Sequence, residues 1–251
     1  MKNQAICYSE TRPTARFRLF CLANAGGSAV LYRDWAFAFP ASMDICPVEL
    51  PGRGMRLAEP RFTSLEPLVA SLHDELRPYF DIPFAFLGHS MGGLLSYELA
   101  ARLEREGQTQ PALIFVSAHR APHLPPKTAD TYLMDDQQLL SKLKKLGGTP
   151  HQVLENNSLM EMMLPIVRDD FAVCDTYTYA AKPALNCPIV ALAGLHDGHV
   201  TQAEMKAWQQ HTQHHFALHM FPGDHFYINS ARHLVQQTVF QTIRGLQQIL
   251  V

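Results

Sequence analysis

Short, near-continuous apolar runs alternate with amphipathic stretches along most of this chain, and that alternation restricts it to a parallel sheet clothed by helices. The runs are Phe17–Leu22, Ile45–Leu50, Phe84–Leu87, Leu113–Val116, Ile189–Leu192 and Phe216–Met220. A strand with one solvated face alternates apolar and polar residues; most of these do not, as expected where both faces are covered. Pro47 would remove a ladder hydrogen bond from a central strand, so the second run is either weak or at an edge. Between the runs, Leu65–Phe80 and Leu94–Glu106 carry apolar residues at helical spacing, and Gly107 is placed to stop the second of them. A further helix is expected around Tyr32–Phe37. The pattern predicts an α/β fold with right-handed crossovers and a mostly parallel central sheet.

From about residue 123 to 183 the rhythm breaks. No strand-like run occurs there, but Asp136–Leu146 and Ser158–Thr176 are helix-like, with Gly147-Gly148-Thr149-Pro150 as a turn between them. The segment is expected to be a helical insertion within a single domain spanning 1–251, serving either as a plain excursion or as a lid over an active site. With 251 residues, 47% of them hydrophobic, the chain can build one large core.

Composition removes several function classes. Twenty-one basic against 23 acidic residues leave a formal charge of −2, which argues against a general nucleic-acid binder. No apolar run approaches the roughly 18 residues of a membrane span. The start, Met1-Lys2-Asn3-Gln4-Ala5, has no apolar signal core, so a cytoplasmic protein is expected. Cys7, Cys21, Cys46, Cys174 and Cys187 are scattered and read as reduced thiols, neither a disulfide frame nor a zinc site. His211, His214, His215 and His219 lack a carboxylate or cysteine to complete a metal set, so no metal is expected there.

The sharpest local signal is Gly88-His89-Ser90-Met91-Gly92, set between the run Phe84–Leu87 and the helix from Leu94. G-x-S-x-G alone is a weak pattern; in a strand–turn–helix setting it is a nucleophile elbow, the alternative being a tight structural turn. A serine on such a turn needs a strained backbone, and small flanking residues prevent collisions. The helix beginning after Ser90 aims its positive end at any oxyanion formed there.

A serine nucleophile needs a base, and the base an orienting carboxylate. Asp197 follows the run Ile189–Leu192, and His225 follows Phe216–Met220, each on a loop at a strand's carboxyl end. Their order after Ser90 is serine, acid, histidine. Asp224 is the competing acid, better suited to shaping the turn; an Asx turn beside Gly198 is the bland role for Asp197. Two oxyanion donors are expected, the N–H groups of Met91 and of Ala25, the latter in the Ala25-Gly26-Gly27 loop. Ser141-Lys142-Leu143-Lys144-Lys145 is either a solvated helix face or a docking patch. Met160, Met162 and Met163 are either an adaptable lid underside or core filler. Asn229 is expected as an N-cap of the last helix.

These residues resemble the type II thioesterases that accompany nonribosomal peptide and polyketide synthases, an α/β-hydrolase family, over nearly the whole chain. The resemblance lies in Asn24-Ala25-Gly26-Gly27-Ser28, Leu50-Pro51-Gly52-Arg53-Gly54, Gly88–Gly93, Ser117-Ala118-His119-Arg120-Ala121-Pro122-His123, Leu164–Phe171 and Gly223-Asp224-His225-Phe226. Asp169 stands where the family often has alanine, and His119 where it often has arginine. The resemblance implies Ser-His-Asp hydrolysis of acyl or aminoacyl thioesters on the phosphopantetheine arms of acyl or peptidyl carrier proteins. It implies no cofactor for the enzyme itself, since the phosphopantetheine belongs to the partner. The same triad would also serve a general serine esterase or acyl-CoA thioesterase on free small substrates. A non-catalytic binding module on a hydrolase fold is disfavoured by the intact Ser90, Asp197 and His225.

Overall fold

The computed structural model describes residues 5–8, 12–128 and 130–249. Six strands form one sheet in the order β2-β1-β3-β4-β5-β6: β1 (Phe17–Leu22), β2 (Met43–Val48), β3 (Phe84–His89), β4 (Leu113–Ser117), β5 (Ile189–Gly194) and β6 (Phe216–Phe221). Every neighbouring pair is parallel. Pro47 sits in the edge strand β2, where its missing N–H costs least. That strand runs Met43–Val48, two residues earlier than the apolar run suggests, and Ile6 pairs with it antiparallel at Val48.

Side-chain alternation along the strands feeds two cores on opposite faces of the sheet. Phe20, Leu22, Phe84 and Phe86 pack with α1 (Leu65–Leu76) and α2 (Met91–Arg105). Phe17, Leu19, Cys21 and Leu87 pack on the other face with Tyr32, Trp35 and α8 (Arg232–Ile249), through its Val235, Val239 and Ile243. Gly107, at φ +64°, follows the α2 cap at Glu106 as the stop its position suggests. The helix expected around Tyr32–Phe37 is instead two 3₁₀ turns, Ala29–Tyr32 and Trp35–Ala38, too short for an α-helical ladder. None of the five cysteines is in a disulfide.

Between β4 and β5 lie α3 (Asp136–Leu146), α4 (His151–Leu154) and α5 (Asn157–Asp175), with no strand among the described residues. Asp135 and Gln138 form a reciprocal capping box on α3, and Gly147, at φ +77°, ends it. The segment owns a small core of Leu139, Leu143, Leu154, Met160, Leu164 and Val167. Met160 and Met163 belong to that core and Met162 is exposed, so these methionines are filler and surface. After β5 come α6 (Gln202–Lys206) and, after β6, α7 (Tyr227–Ser230). Asn229 lies inside α7 and caps nothing, because α8 begins only at Arg232. Met1–Gln4 and Leu250 fall outside the described residues. No helix among the described residues is long and apolar enough to cross a membrane.

Candidate active site

The chain runs from β1 to β2 on one side and then crosses to β3 on the other, so the carboxyl ends of β1 and β3 flank a topological switch point, where open α/β sheets form their crevices. Ser90 stands at the end of β3 with φ +53° and ψ −117°, a region L-residues rarely occupy. Its N–H donates to Ser117 O on β4 at 2.7 Å, and its carbonyl accepts from Gly93 N–H at 2.8 Å. The flanking glycines are required by space. A Cβ at Gly88 would lie 1.8 Å from Gly92 O, and one at Gly92 would lie 2.2 Å from Leu22 O.

The structure brings the three residues picked out as a triad into one hydrogen-bonded line. His225 Nε2 lies 3.2 Å from Ser90 Oγ, and His225 Nδ1 lies 2.9 Å from Asp197 Oδ2. The carboxylate is fully buried. Its other oxygen accepts from the N–H groups of His199 (2.7 Å) and Val200 (3.1 Å), so the Asx turn and the link to His225 coexist. Burial opposes the Asp197 charge, but the hydrogen bond and charge of His225, with those two N–H donors, outweigh it and hold its pKa below the ordinary carboxylate value. Asp224 instead accepts from Phe226 N–H at 2.8 Å and closes the turn. The histidine loop passes over β5 so closely that a Cβ at Gly194 would lie 2.3 Å from Asp224 O.

Ala25 and Met91 line the same cavity as Ser90 and His225, about 920 Å³ in volume. Among the described residues neither N–H donates to any group of the protein. Met91 is the first residue of α2, where backbone donors have no intrahelical acceptor.

Residues from α3 and α5 form the far wall of the cavity, Lys142 and Phe171 among them. The basic cluster therefore divides. Lys142 turns inward, donating to Thr128 Oγ1 (3.2 Å) and Thr131 Oγ1 (3.0 Å), and burial lowers its pKa; Lys145 also lines the cavity. Lys144 faces solvent. His119, on the cavity wall, is buried and neutral, its pKa pushed down to about 3 by burial and then by Arg120. Its Nδ1–H donates to Arg120 O at 2.7 Å.

Two features were not assigned any role from sequence. Behind the nucleophile, His89 Nδ1 meets Ser117 Oγ at 2.8 Å, and burial followed by the charge of His225 depresses the His89 pKa. Beside the oxyanion loop, Arg53 and Asp170 form a buried ion pair at 2.6 Å. The sequence signal for the pair is that each residue lies in a motif, L-P-G-R-G or R-D-D-F. Among the described residues no group of histidine, cysteine or carboxylate side chains is arranged to hold a metal.

A family model described as "Thioesterase domain" matches residues 17–246. Gramicidin S biosynthesis protein GrsT of Aneurinibacillus migulanus is 37% identical over 242 residues, covering 96% of this chain and 94% of its own. Among solved structures, ClbQ from the colibactin NRPS/PKS pathway superposes with a TM-score of 0.89 at 32% identity, over 94% of this chain and all of its own. The type II thioesterase BorB from the borrelidin biosynthetic cluster gives a TM-score of 0.85 at 38% identity, over 93% of this chain and 95% of its own.

Proposed function

The chain belongs to the thioesterase domain family and is an enzyme that cleaves thioesters; we propose that it acts as a type II thioesterase on acyl or aminoacyl groups carried by phosphopantetheine arms in nonribosomal peptide or polyketide assembly. The observation that carries this reading is the continuous line Ser90 Oγ–His225–Asp197 at the switch point, within a chain similar over nearly its full length to proteins of such pathways.

In this reading Ser90 Oγ attacks the thioester carbonyl and passes its proton to His225 Nε2. Asp197 Oδ2, accepting from Nδ1–H, fixes the tautomer that leaves Nε2 free and stabilises the imidazolium. Charge gathers on the carbonyl oxygen, and the free N–H groups of Met91 and Ala25 are its donors. Collapse expels the pantetheine thiolate, which takes the proton from His225. The emptied base then draws a proton from water, whose oxygen attacks the acyl-enzyme; a second collapse returns Ser90 and releases the acid.

The α3–α5 segment acts as a lid whose inner wall receives the acyl group. Lys142 and Lys145 add positive charge to that wall. The enzyme brings no cofactor, because the arm arrives with its partner. Five cysteines outside any disulfide suit the cytoplasm.

The test is to present one short acyl group on a phosphopantetheinylated carrier protein, on free pantetheine and as an oxygen ester, to the wild type and to Ser90→Ala. A large kcat/KM advantage for the carrier protein, abolished in Ser90→Ala, is expected. Equal rates on all three would reduce the protein to a general acyl hydrolase, and hydrolysis by Ser90→Ala would remove the nucleophile.

A further inference from the structure

The loop bearing Ala25 has little of its own to hold it in shape. Gly26 sits at φ +71°, and the loop's internal bonds are Gly27 N–H to Asn24 O and Asn24 Nδ2 to Ala25 O, both 2.9 Å. Its remaining anchors come from far away in the chain. Gly26 N–H donates to Asp170 Oδ2 at 2.7 Å, and Gly27 O accepts from Arg53 Nη1 at 3.1 Å. Arg53 and Asp170 also grip each other through two bonds, Nη1 to Oδ2 at 2.6 Å and Nη2 to Oδ1 at 2.7 Å. Their side chains are 6% and 2% exposed. Val167, almost one helical turn before Asp170, closes over the loop; a Cβ at Gly26 would lie 2.6 Å from its Cγ2.

We propose that Arg53 and Asp170 are positioning residues for the oxyanion hole, which set the Ala25 N–H by holding Gly26 and Gly27 on either side of the pair. The inference rests on the reading of Ala25 as an oxyanion donor. A donor serves the transition state only if it is in place before charge develops, and an error of about 1 Å can cost on the order of 100-fold in rate. Two glycines cannot supply that precision, whereas a bidentate guanidinium–carboxylate pair has one geometry.

Charge explains why a pair is used. A lone carboxylate bonded to Gly26 N–H would repel an oxyanion forming at the neighbouring residue. Arg53 cancels that field while adding its own bond to the loop. Arg53 is itself held in a turn whose glycines, Gly52 and Gly54, lie at φ +79° and +50°. Glu49, just before that turn, accepts from Ala29 N–H at 3.1 Å, beyond the far end of the oxyanion loop. Stability alone does not call for this arrangement, since apolar residues commonly replace a buried ion pair without loss. Because Asp170 belongs to α5, the helical segment that walls the cavity also sets the oxyanion hole.

The experiment compares wild type, Asp170→Asn, Arg53→Leu/Asp170→Leu and Ser90→Ala on one short-chain acyl N-acetylcysteamine thioester. Steady-state kcat and KM are measured alongside a thermal melt by circular dichroism. The apolar pair should stay folded and lose roughly 10- to 100-fold in kcat, with KM within about twofold of wild type, as expected for a displaced rather than deleted donor. Asp170→Asn should show the same split. A folded double variant with wild-type kcat, or a loss confined to KM, would overturn the proposal. Collapse of both variants would overturn it as well, by making the pair a structural brace. Ser90→Ala separates the layers: if it still hydrolyses the thioester, the reading of the site falls first and this one with it.

Discussion

Replacing Ser90 by alanine and by glycine would measure the strain stored under the nucleophile. Both variants lack the hydroxyl, so both are inactive and differ only at Cβ. At φ +53° and ψ −117° the serine backbone is in a sparsely populated region, which costs about 1–3 kcal/mol for a residue bearing a Cβ. Glycine escapes that cost but loses about 0.5–1 kcal/mol through the greater freedom of its unfolded chain. At the middle of those ranges Ser90→Gly is more stable than Ser90→Ala by about 1.2 kcal/mol, and at most by about 2.5 kcal/mol; the mid-range figure is roughly 2–5 °C in Tm for a chain of this size. Neighbouring contacts should not offset the gain, because Ser90 N–H and C=O keep their bonds to Ser117 O and Gly93 N–H in either variant. Differential scanning calorimetry at pH 7, with urea unfolding for ΔG, is the assay. A more stable alanine variant would show that the elbow is relaxed and that its geometry is not held by the surrounding fold.

Two further outcomes follow from the site. Asp197→Asn should lower kcat on the order of 10⁴-fold by favouring the wrong His225 tautomer, whereas Asp224→Asn, which keeps its acceptor for Phe226 N–H, should leave kcat close to wild type; the reverse ranking would move the acid to Asp224. Neutral, buried His119 has a folded pKa near 3 against about 6.5 in an unfolded chain, so the unfolded state binds the extra proton as pH falls. Stability should therefore drop by about 2 kcal/mol between pH 7 and 5 from this site alone, and His119→Asn should flatten the Tm–pH slope there; an unchanged slope would refute the assignment.

Much of this layout is legible in the sequence because local signals and burial agree. A strand covered on both faces has to be largely apolar, and β1, β3, β4 and β5 are, apart from Arg18 near the start of β1 and His89 and Ser117 at the ends of β3 and β4; Asp136–Leu146 became α3 at its expected bounds because its capping residues and Gly147 act locally. Where two local tendencies compete, the reading fails. Tyr32 and Trp35 are apolar at helical spacing, yet both are drawn into the core beneath β1, and only 3₁₀ turns fit there. Asn229 has a capping residue's chemistry, but the chain had already turned helical at Tyr227. Ser90, Asp197 and His225 could be ordered in advance because each lies just past a strand. Nothing local joins Arg53 to Asp170, which are 117 positions apart, or turns Lys142 inward while Lys144 faces water.

The order of the strands has a mechanical consequence for the histidine. At roughly 4.8 Å per strand, the loop leaving β6 must span about 14 Å to reach the end of β3. An unsupported span of that length would sway by more than a proton transfer tolerates. It is supported where it passes β5, about a third of the way across: Leu195 N–H donates to Phe221 O at 2.8 Å and His196 N–H to Gly223 O at 2.9 Å, over the bare backbone of Gly194. The landing acts as a pier: beyond it only Asp224 separates Gly223 from His225, and the loop's positional error accumulates over two residues instead of the whole crossing. A side chain at position 194 would lift the deck from its support and so blunt the base without touching any reacting atom.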